Sequence, residues 1–545
     1  MRIAVEGCSH GCLDQIYASI LAIDRQEGKQ TDLLILCGDV QTLRNPSDLH
    51  CLAVPDKYKQ LGDFHRYYNG QRKAPILTLL VGGNHEASNY LWELYYGGWV
   101  APNMYFLGEA GCVEVGGLTI AGISGIYKSH DFRLGRHESM PYNGSTIRSI
   151  YHTRCYDTFR LHLLSRPQST GGRTDIVLSH DWPNTIEQHG DVRWLMQKKP
   201  FFRDDIGTKT LGSPPLMDLL HDLKPKYWFS AHLHVRFAAL VRHGEKNDVR
   251  VKSLSSATDD TKTENAEEVM IDIDDEDNIP QGNEEEIDTK EAGPEDAINP
   301  EQTQEAGLRS TTRFLALSKC LEGHDFLQIL EIPAPSDEDP RFQNAPVGEV
   351  NSKKQPSLRF SASWLAILRA THPLLSLARN QCALPSLADE GLASQLKAEY
   401  EWVQSNILAS HTEEGHPLDI LTTQQFVQTA PSTLDPNVHH MTGPPSWYTN
   451  PQTVSLCNLL QIENRINAPP PTIPAPPPAM APKNPTIPHF LQPPQVQQPF
   501  VDAASASQGR SSSKDDGHVH SNSDEIVVTL SDDEEENMRW KEGTG

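Results

Sequence analysis

Short apolar runs recur along the first half of the chain, separated by polar or helix-like stretches. Each run is four to six residues long, rich in leucine or β-branched residues, and ends at Gly, Asn, Asp or His. Runs of this length that are apolar on both faces are typical of central strands in a sheet covered by helices. The pattern predicts an α/β fold with strands near residues 2–5, 32–36, 76–81, 119–123, 175–178 and 227–230.

The pattern changes after residue 258. From 259 to 308 acidic residues far outnumber basic ones and aromatic residues are almost absent, which predicts a disordered acidic insertion. Two strand-like runs around a Gly-His turn, within 309–335, are predicted to close the sheet of the first domain, residues 1–258. Apolar residues at three- and four-residue steps predict a helical region over 336–465. Residues 466–545, rich in Pro and then in Ser and acids, predict a linker and a disordered tail.

Composition supports this division. The 545-residue chain has 37% hydrophobic residues and a formal net charge of -25, which favours a folded part diluted by acidic segments. Net charge alone therefore argues against simple attraction of a polyanion, although a basic groove on the folded part is compatible with it. Nine cysteines show no CxxC pair, and most are predicted to be reduced, buried thiols. Since no long apolar run and no leader pattern occurs, we expect an intracellular protein without a membrane span.

Five short polar motifs follow these strand-like runs at their carboxyl ends. Histidine, carboxylate and amide side chains are ligands for first-row divalent metals, and open sheets place their sites at strand ends. Each motif is weak alone, but five in this order, each directly after a strand, indicate a metal site. The motifs are Cys8-x-His10, Gly38-Asp39, Gly83-Asn84-His85-Glu86, His180-Asp181 and His232-x-His234.

The order of these motifs resembles that of the calcineurin-like metallophosphoesterases over residues 1–251: D-x-H, G-D, G-N-H-[DE], a histidine, then G-H-x-H. Two positions depart from that pattern. Ala231 replaces a glycine, which affects backbone room, whereas Cys8 replaces an aspartate, which affects the metal.

One branch of that family, the lariat RNA debranching enzymes, is more closely similar. The resemblance covers roughly residues 1–250 and 310–375. Four stretches carry it: 127–154 (YKSHDFRLGRHESMPYNGSTIRSIYHTR), 179–183 (SHDWP), 314–332 (FLALSKCLEGHDFLQILEI) and 364–374 (WLAILRATHPL).

The resemblance implies a metallophosphoesterase-type αββα sandwich of two mixed sheets and two divalent ions per chain, Fe2+, Zn2+ or Mn2+. One ion would be held by Cys8, His10, Asp39 and His234, and the other by Asp39, Asn84, His180 and His232. Asp39 would thus bridge the ions, and His85 would protonate the departing 2′-oxygen as general acid. A thiolate at Cys8 is softer than a carboxylate and would favour zinc or iron over magnesium. Cys12 has no partner motif and is predicted to be a structural thiol.

Residues 127–154 mix cationic and aromatic side chains with turn-forming residues. Branched or single-stranded RNA is bound through cationic contacts to phosphates and stacking of splayed bases, and the segment is similar to the lariat-recognition loop of the family. A solvated loop with ordinary charge is the alternative. The predicted RNA-binding residues are Lys128, Arg133, Arg136, Tyr142, Asn143, Ser145, Thr146, Arg148, Tyr151 and Arg154.

The expected function is hydrolysis of the 2′-5′ phosphodiester at the branch point of excised intron lariats by a binuclear-metal hydroxide mechanism. The alternatives are a general phosphodiesterase or protein phosphatase of the same fold, and a non-catalytic RNA-binding scaffold. We expect a role in mRNA processing, a nuclear location with the cytoplasm as a second one, and splicing-associated partners. Residues 525–536 (EIVVTLSDDEEE) resemble a SUMO-interacting motif, and Ser531, followed by acids, is a candidate kinase site.

Overall fold

The computed structural model describes residues 1–166, 174–244, 311–333, 356–411, 418–438, 441 and 443–468. All of these residues belong to one compact unit, Met1–Pro471. The predicted acidic insertion and residues 469–545 of the predicted tail lie outside the described residues. Within the described part of the chain, no helix has both the length and the apolar character needed to cross a membrane.

The strands are short, as the apolar runs predicted. In chain order they are β1 (Arg2–Glu6), β2 (Leu33–Leu36), β3 (Leu77–Leu80), β4 (Gly98–Ala101), β5 (Met104–Phe106), β6 (Ala110–Val115), β7 (Leu118–Ile123), β8 (Ile176–Ser179), β9 (Tyr227–Ser230), β10 (Phe237–Arg242), β11 (Thr311–Ala316), β12 (Leu327–Glu331) and β13 (Leu358–Phe360).

These strands form two mixed sheets. The first has the order β12-β1-β2-β3-β5-β4, and the second has the order β10-β11-β9-β8-β7-β6-β13. In the first sheet β1, β2, β3 and β5 are parallel, while β12 and β4 pair antiparallel at the edges. In the second sheet β7, β8, β9 and β11 are parallel, with antiparallel strands on both sides.

Helices flank the sheets and also make up much of the C-terminal region. They are α1 (Leu13–Glu27), α2 (Phe64–Tyr68), α3 (Ser88–Glu93), α4 (Ser129–Phe132), α5 (Thr146–Ser149), α6 (Cys155–His162), α7 (Val192–Lys198), α8 (Arg203–Thr208), α9 (Pro214–Leu223), α10 (Ala362–Thr371), α11 (Glu390–Val403), α12 (Ile420–Thr423) and α13 (Pro451–Leu460).

Successive residues of a strand point to opposite faces of the sheet, and both faces are buried in hydrophobic clusters. The strands are therefore apolar on both faces. In β1, Ile3 and Val5 join a hydrophobic cluster that contains side chains of both sheets. Ala4, between them, joins a second cluster with Leu13 and Ile16 of α1. Each strand of the first sheet therefore packs against the second sheet on one face and against helices on the other.

The expected αββα architecture of two mixed sheets is confirmed. The two strands predicted near 311–332 enter different sheets, because β11 pairs with β9 and β10 whereas β12 pairs with β1. The region predicted to be helical over 336–465 contains α10 to α13, but it also contributes β13, which pairs with β6. The predicted domain boundaries themselves stay a prediction.

Candidate metal centre

The predicted metal ligands lie on loops that follow strands of both sheets. Because β1 to β3 are parallel, as are β8 and β9, the loops after these strands emerge at the carboxyl ends, where open sheets form their sites. The predicted residues follow β1 (Cys8, His10), β2 (Asp39), β3 (Asn84, His85), β8 (His180) and β9 (His232, His234).

A first group of ligand atoms is tightly gathered. Cys8, His10, Asp39 and His234 each offer an atom, and these atoms all lie within 4.8 Å of one another. The Nε2 atoms of His10 and His234 are 3.1 Å apart, and His10 Nε2 is 3.8 Å from Asp39 Oδ2. Two imidazoles, a thiol and a carboxylate that converge in this way form a donor set suited to zinc or iron.

A second group meets the first at Asp39. His180 Nε2 lies 3.5 Å from Asp39 Oδ2 and 3.1 Å from Asn84 Oδ1. His180 Nδ1 lies 2.8 Å from the carbonyl oxygen of Cys37, and a proton donated there leaves Nε2 as the ligand atom. The ring of His232 packs beside that of His180, with centroids 5.1 Å apart. Asp39 therefore contacts both groups of ligands, as a bridging carboxylate must.

Four of these residues have a left-handed backbone. The φ angles are 41° for His10, 51° for Asp39, 64° for His232 and 50° for His234. This region is uncommon for residues with a Cβ atom, and strained backbone persists at sites where the surrounding structure over-determines it. The loops thus hold these side chains at an energetic cost.

Two glycines make room for the same side chains. Gly38 has a φ of 114°, and a Cβ atom there would lie 2.4 Å from His180 Nδ1. A Cβ atom on Gly83 would lie 2.1 Å from Asp39 Oδ1. Both motif glycines are needed because the ligand side chains pack directly on their Cα atoms.

Glu86, the last residue of its motif, fixes the loop that carries Asp39. Its carboxylate accepts hydrogen bonds from the backbone N–H of Val40 and Gln41, both at 2.8 Å, and from Gly83 N–H at 3.2 Å. Burial, and next the charge of Asp39, raises the pKa of Glu86 to about 7. Glu86 therefore supports two strand-end loops at once. The sequence motif includes Glu86, but the motif alone did not predict this role.

Burial lowers the pKa of His10 to about 4, that of His232 to about 3 and that of His234 to about 2. At His180 burial acts in the same direction, but the charge of Asp39 outweighs it and the pKa of His180 is raised. For Asp39, burial opposes ionisation, but the surrounding imidazoles, His180 foremost, hold its pKa well below its usual range. Neutral imidazoles and an ionised carboxylate are the forms that bind metal.

Cys8 also has surroundings that suit a metal ligand. It is fully buried, and its sulfur accepts a hydrogen bond from the backbone N–H of His232 at 3.1 Å. Burial, and next the negative charges of Asp39 and Glu6, raises the pKa of the Cys8 thiol well above its usual range. A thiolate in this place needs a cation beside it, and so the donor set fits a divalent metal.

His85 is placed at the edge of the centre. Its backbone N–H donates to Asp39 Oδ1 at 2.8 Å, and its Nδ1 lies 3.2 Å from the carbonyl oxygen of Ala53. Its Nε2 lies 3.0 Å from Asn84 Nδ2, and its ring centroid is 5.9 Å from that of His10. The side chain is half-buried, so that it borders both the ligands and solvent. The role of general acid stays a prediction that this position permits.

In the recognition segment, residues 127–154, some of the predicted RNA-binding residues are accessible to solvent, and others make hydrogen bonds within the segment. Asn143 Oδ1 accepts from the N–H groups of Ser145 and Thr146, both at 2.9 Å, and Thr146 Oγ1 accepts from Asn143 N–H at 2.8 Å. These three residues shape the turn before α5. The other predicted residues that are exposed or half-buried are Lys128, Arg133, Tyr142, Arg148 and Tyr151.

Two predicted RNA contacts need correction. Arg136 is 3% exposed and donates to Glu109 and Asp157, both at 2.6 Å. Arg154 is 1% exposed and donates to Glu138 at 2.6 Å. A guanidinium that is buried and paired with carboxylates is not available to a phosphate, so we assign both arginines to support of the segment.

Sequence reasoning also missed one contact that attaches this segment to the metal centre and one that holds the segment together internally. Tyr127 N–H donates to Asp181 Oδ2 at 3.0 Å, and Asp181 follows the predicted ligand His180 directly. Asp131 pairs with His152 Nδ1 at 2.7 Å, and both are buried. Asp181 belongs to a recognised motif and could have been found there, whereas the Asp131 pair carries no signal in the sequence.

Two mixed sheets whose strand-end loops gather candidate metal ligands around Asp39 fit a metallophosphoesterase. Residues 1–236 match the family model described as calcineurin-like phosphoesterase. Residues 309–465 match the model described as the C-terminal domain of lariat debranching enzyme.

Relatives that match most of the chain narrow the family assignment. The lariat debranching enzyme of Schizosaccharomyces pombe is 42% identical over 492 residues, which cover 86% of this chain and 98% of that protein. The enzymes of Gallus gallus and Homo sapiens are each 39% identical, over 86% and 85% of this chain and 72% and 69% of their own lengths. The chain belongs to the lariat debranching enzyme family, and it is a metal-dependent phosphodiesterase.

Proposed function

We propose that this chain hydrolyses the 2′-5′ phosphodiester at the branch point of lariat RNA and releases linear RNA with a free 2′-hydroxyl and a 5′-phosphate. The observation that carries the proposal is the position of Asp39 between two groups of ligands drawn from both sheets. Family membership supports the substrate, and the recognition segment, linked to Asp181, supplies groups suited to RNA.

Cys8, His10, Asp39 and His234 would hold one divalent ion, and Asp39, Asn84, His180 and His232 the other. Two such ions supply Lewis-acid stabilisation of the phosphoryl oxygens and activation of the attacking water. With one thiolate among nitrogen and oxygen donors, the first position favours Fe2+ or Zn2+, whereas the second also suits Mn2+.

His85 would deliver the proton that the leaving group needs. The neutral ring holds Nδ1–H on the Ala53 carbonyl and accepts at Nε2 from Asn84 Nδ2; protonation keeps the first contact and replaces the second with an Nε2–H. Transfer of that Nε2 proton to the departing 2′-oxygen leaves a neutral ring that stays anchored through Nδ1. The carbonyl of Ala53 thus orients the imidazole throughout.

Tyr142 and Tyr151 would stack on bases near the branch, while Lys128, Arg133 and Arg148 would contact phosphates. Stacking tolerates base identity, and cationic contacts give salt-dependent affinity. Because Tyr127 N–H is bonded to Asp181, RNA held by the segment would lie beside His180 and its neighbours.

A paired-substrate experiment tests the proposal. Purified protein supplied with Mn2+ is incubated with a synthetic branched RNA that has one 2′-5′ bond and with the linear RNA of the same sequence. We expect cleavage of the branch alone, with a free 2′-hydroxyl and a 5′-phosphate in the products. Asp39→Asn should abolish it, whereas Asp204→Asn, on the exposed first turn of α8, should not. Equal cleavage of both RNAs would support a general phosphodiesterase instead.

The proposed substrate is a product of splicing, and we therefore also propose a nuclear location and contact with splicing-associated proteins. The candidate SUMO-interacting and kinase sites at 525–536 lie outside the described residues and stay predictions.

A further inference from the structure

A second group of potential metal ligands lies in the recognition segment, outside the metal centre. His130 and Asp131 belong to α4, near the start of the segment, and His152 lies near its end. Each of the three offers one ligand atom, and these atoms all lie within 4.8 Å of one another, as do those of the first group in the metal centre. Neither the proposed hydrolysis nor the proposed RNA contacts use these three residues.

The carboxylate of this group lies between the two imidazoles. Asp131 Oδ2 is 2.7 Å from His152 Nδ1 and 3.4 Å from His130 Nε2. For comparison, His180 Nε2 is 3.5 Å from Asp39 Oδ2 in the metal centre. The two rings of the group meet edge to face, with centroids 5.9 Å apart. Donor atoms at these separations can share one ion at bond lengths of about 2.0–2.2 Å.

Asp131 is a buried carboxylate whose contacts include no lysine or arginine. It is 7% exposed, and among the described residues its ion-pair partners are His130 and His152. Arg154, two residues beyond His152, donates instead to Glu138 at 2.6 Å. Because a buried carboxylate needs a compensating positive charge, these surroundings favour a cation beside Asp131.

His152 is poorly suited to supply that charge itself. It is 2% exposed, and burial lowers its pKa below the usual range even though the hydrogen bond with Asp131 opposes the shift. Its Nε2 is buried and has no hydrogen-bond partner in the described part of the chain. The polar contacts of the ring are therefore incomplete, and its neutral form is the one that binds metal.

The group is open to solvent on one side. The side chain of His130 is 70% exposed, so an ion can enter there and water can complete its coordination. Two imidazoles and a carboxylate, with water in an open fourth position, form a common ligand set for zinc.

We propose that His130, Asp131 and His152 bind a zinc ion, in addition to the ions of the metal centre, and that this ion fastens the base of the recognition segment. The ion would link α4 to the end of the segment and would restrict residues 133–150, which lie between its ligands. The zinc site itself does not depend on the proposed RNA substrate.

Backbone hydrogen bonds already hold the two ends of the segment in register. Ile126 N–H donates to the carbonyl oxygen of Tyr151 at 3.3 Å, and Thr153 N–H donates to that of Ile126 at 2.9 Å. The ligands are therefore brought together by the fold before an ion binds, which reduces the conformational cost of binding.

The test is a zinc titration of the full chain. Wild-type protein, His130→Ala and His137→Ala are dialysed against buffered free Zn2+ and analysed for bound zinc per chain. We expect His130→Ala to hold one zinc fewer than wild type over the range in which the site fills. Its affinity at this site should fall by about 100-fold or more, since residues that only orient a ligand already contribute about 10–100-fold. Substitution of so exposed a side chain should preserve the fold.

His137 provides the matched control. It is a half-buried histidine of the same segment, its Nδ1 lies 3.3 Å from the carbonyl oxygen of Gly135, and it belongs to neither group of potential ligands found among the described residues. His137→Ala should hold as much zinc as wild type. Asp131→Asn, which keeps the size of the side chain and removes its charge, is a second variant and should lose the same zinc as His130→Ala.

Hydrogen exchange gives a second readout. Zinc should slow the exchange of backbone amides in residues 133–150 of wild type and of His137→Ala, but not of His130→Ala. Equal zinc content in wild type and His130→Ala throughout the titration would overturn the proposal, as would equal slowing of exchange in both. Because both proteins carry the same metal centre and no RNA is present, the difference between them reports on this site alone and is independent of the proposed function.

Discussion

The metal centre and the recognition segment were both predicted from short pieces of sequence, but the predicted residues agree with the structure better at the metal centre than in the segment. At the metal centre, the predicted ligands of the first group converge within 4.8 Å, and those of the second meet them at Asp39. In the recognition segment, two of the predicted contact residues, Arg136 and Arg154, are buried in ion pairs. A metal-ligand motif requires its side chains to converge on one point. A segment that is merely rich in charged and aromatic residues does not specify which side chains face the ligand.

The two regions also hold their shape by different means. The metal-centre loops have left-handed backbone at four predicted ligand positions, supported by Glu86 and by close-packed glycines. The recognition segment instead encloses buried arginine–carboxylate pairs and presents its remaining polar residues to solvent. Damage to the first region should therefore change chemistry, and damage to the second should change either stability or RNA affinity, depending on the residue.

The largest effect is expected for Asp39→Asn. Loss of the carboxylate shared by both ligand groups should deplete both metals and slow branch cleavage by about 10⁴-fold or more, since a pair of metal ions contributes several kcal/mol. Metal analysis and single-turnover cleavage, with Asp204→Asn as the matched control, measure this. Two full equivalents of metal in the variant would contradict the bridging role.

His85→Ala should leave metal content near normal and slow branch cleavage by about 10²–10⁴-fold, the range of general acid catalysis. A small chromogenic phosphodiester has a leaving group that needs no proton, and its hydrolysis should change little. If branch cleavage is unaffected, another group supplies the proton.

Arg136→Met tests the corrected assignment within the recognition segment. Removing a buried cation leaves Glu109 and Asp157 uncompensated, and we expect a loss of about 3–5 kcal/mol in the free energy of unfolding. Arg133→Met, at an exposed position in the same segment, is the matched control and should change stability by about 0.5 kcal/mol or less. Denaturant titration measures the free energy of unfolding of both variants. Equal values would contradict the supporting role of Arg136 and leave RNA contact as its predicted role.

The smallest effect is expected for Arg133→Ala on the affinity for branched RNA. One lost phosphate contact should reduce the slope of log affinity against log salt by about 0.7, with unchanged stability. A filter-binding series over salt concentration on inactive Asp39→Asn protein measures it. An unchanged slope would remove Arg133 from the RNA interface.

Much of the fold and centre could be predicted because the signals are local. Apolar runs locate the strands, and parallel strands of one sheet bring the residues after them to one edge, so Cys8, Asp39 and Asn84, which follow β1, β2 and β3, could be predicted to lie together. Contacts between distant residues could not be predicted. Nothing in the sequence around Arg136 identifies Glu109 as its partner. Pairing of β13 with β6 was missed for the same reason, since three residues carry too little periodicity.

We propose that this chain separates chemistry, at the metal centre, from RNA recognition, in residues 127–154. The most direct measurement is the ratio of rates on branched RNA and on a small chromogenic phosphodiester for a variant with Tyr142→Ala and Arg148→Ala. We predict that kcat/KM for branched RNA falls by a factor that corresponds to about 1–3 kcal/mol, for the lost stacking contact, while the chromogenic rate is unchanged. Equal loss on both substrates, or no loss on either, would contradict the separation.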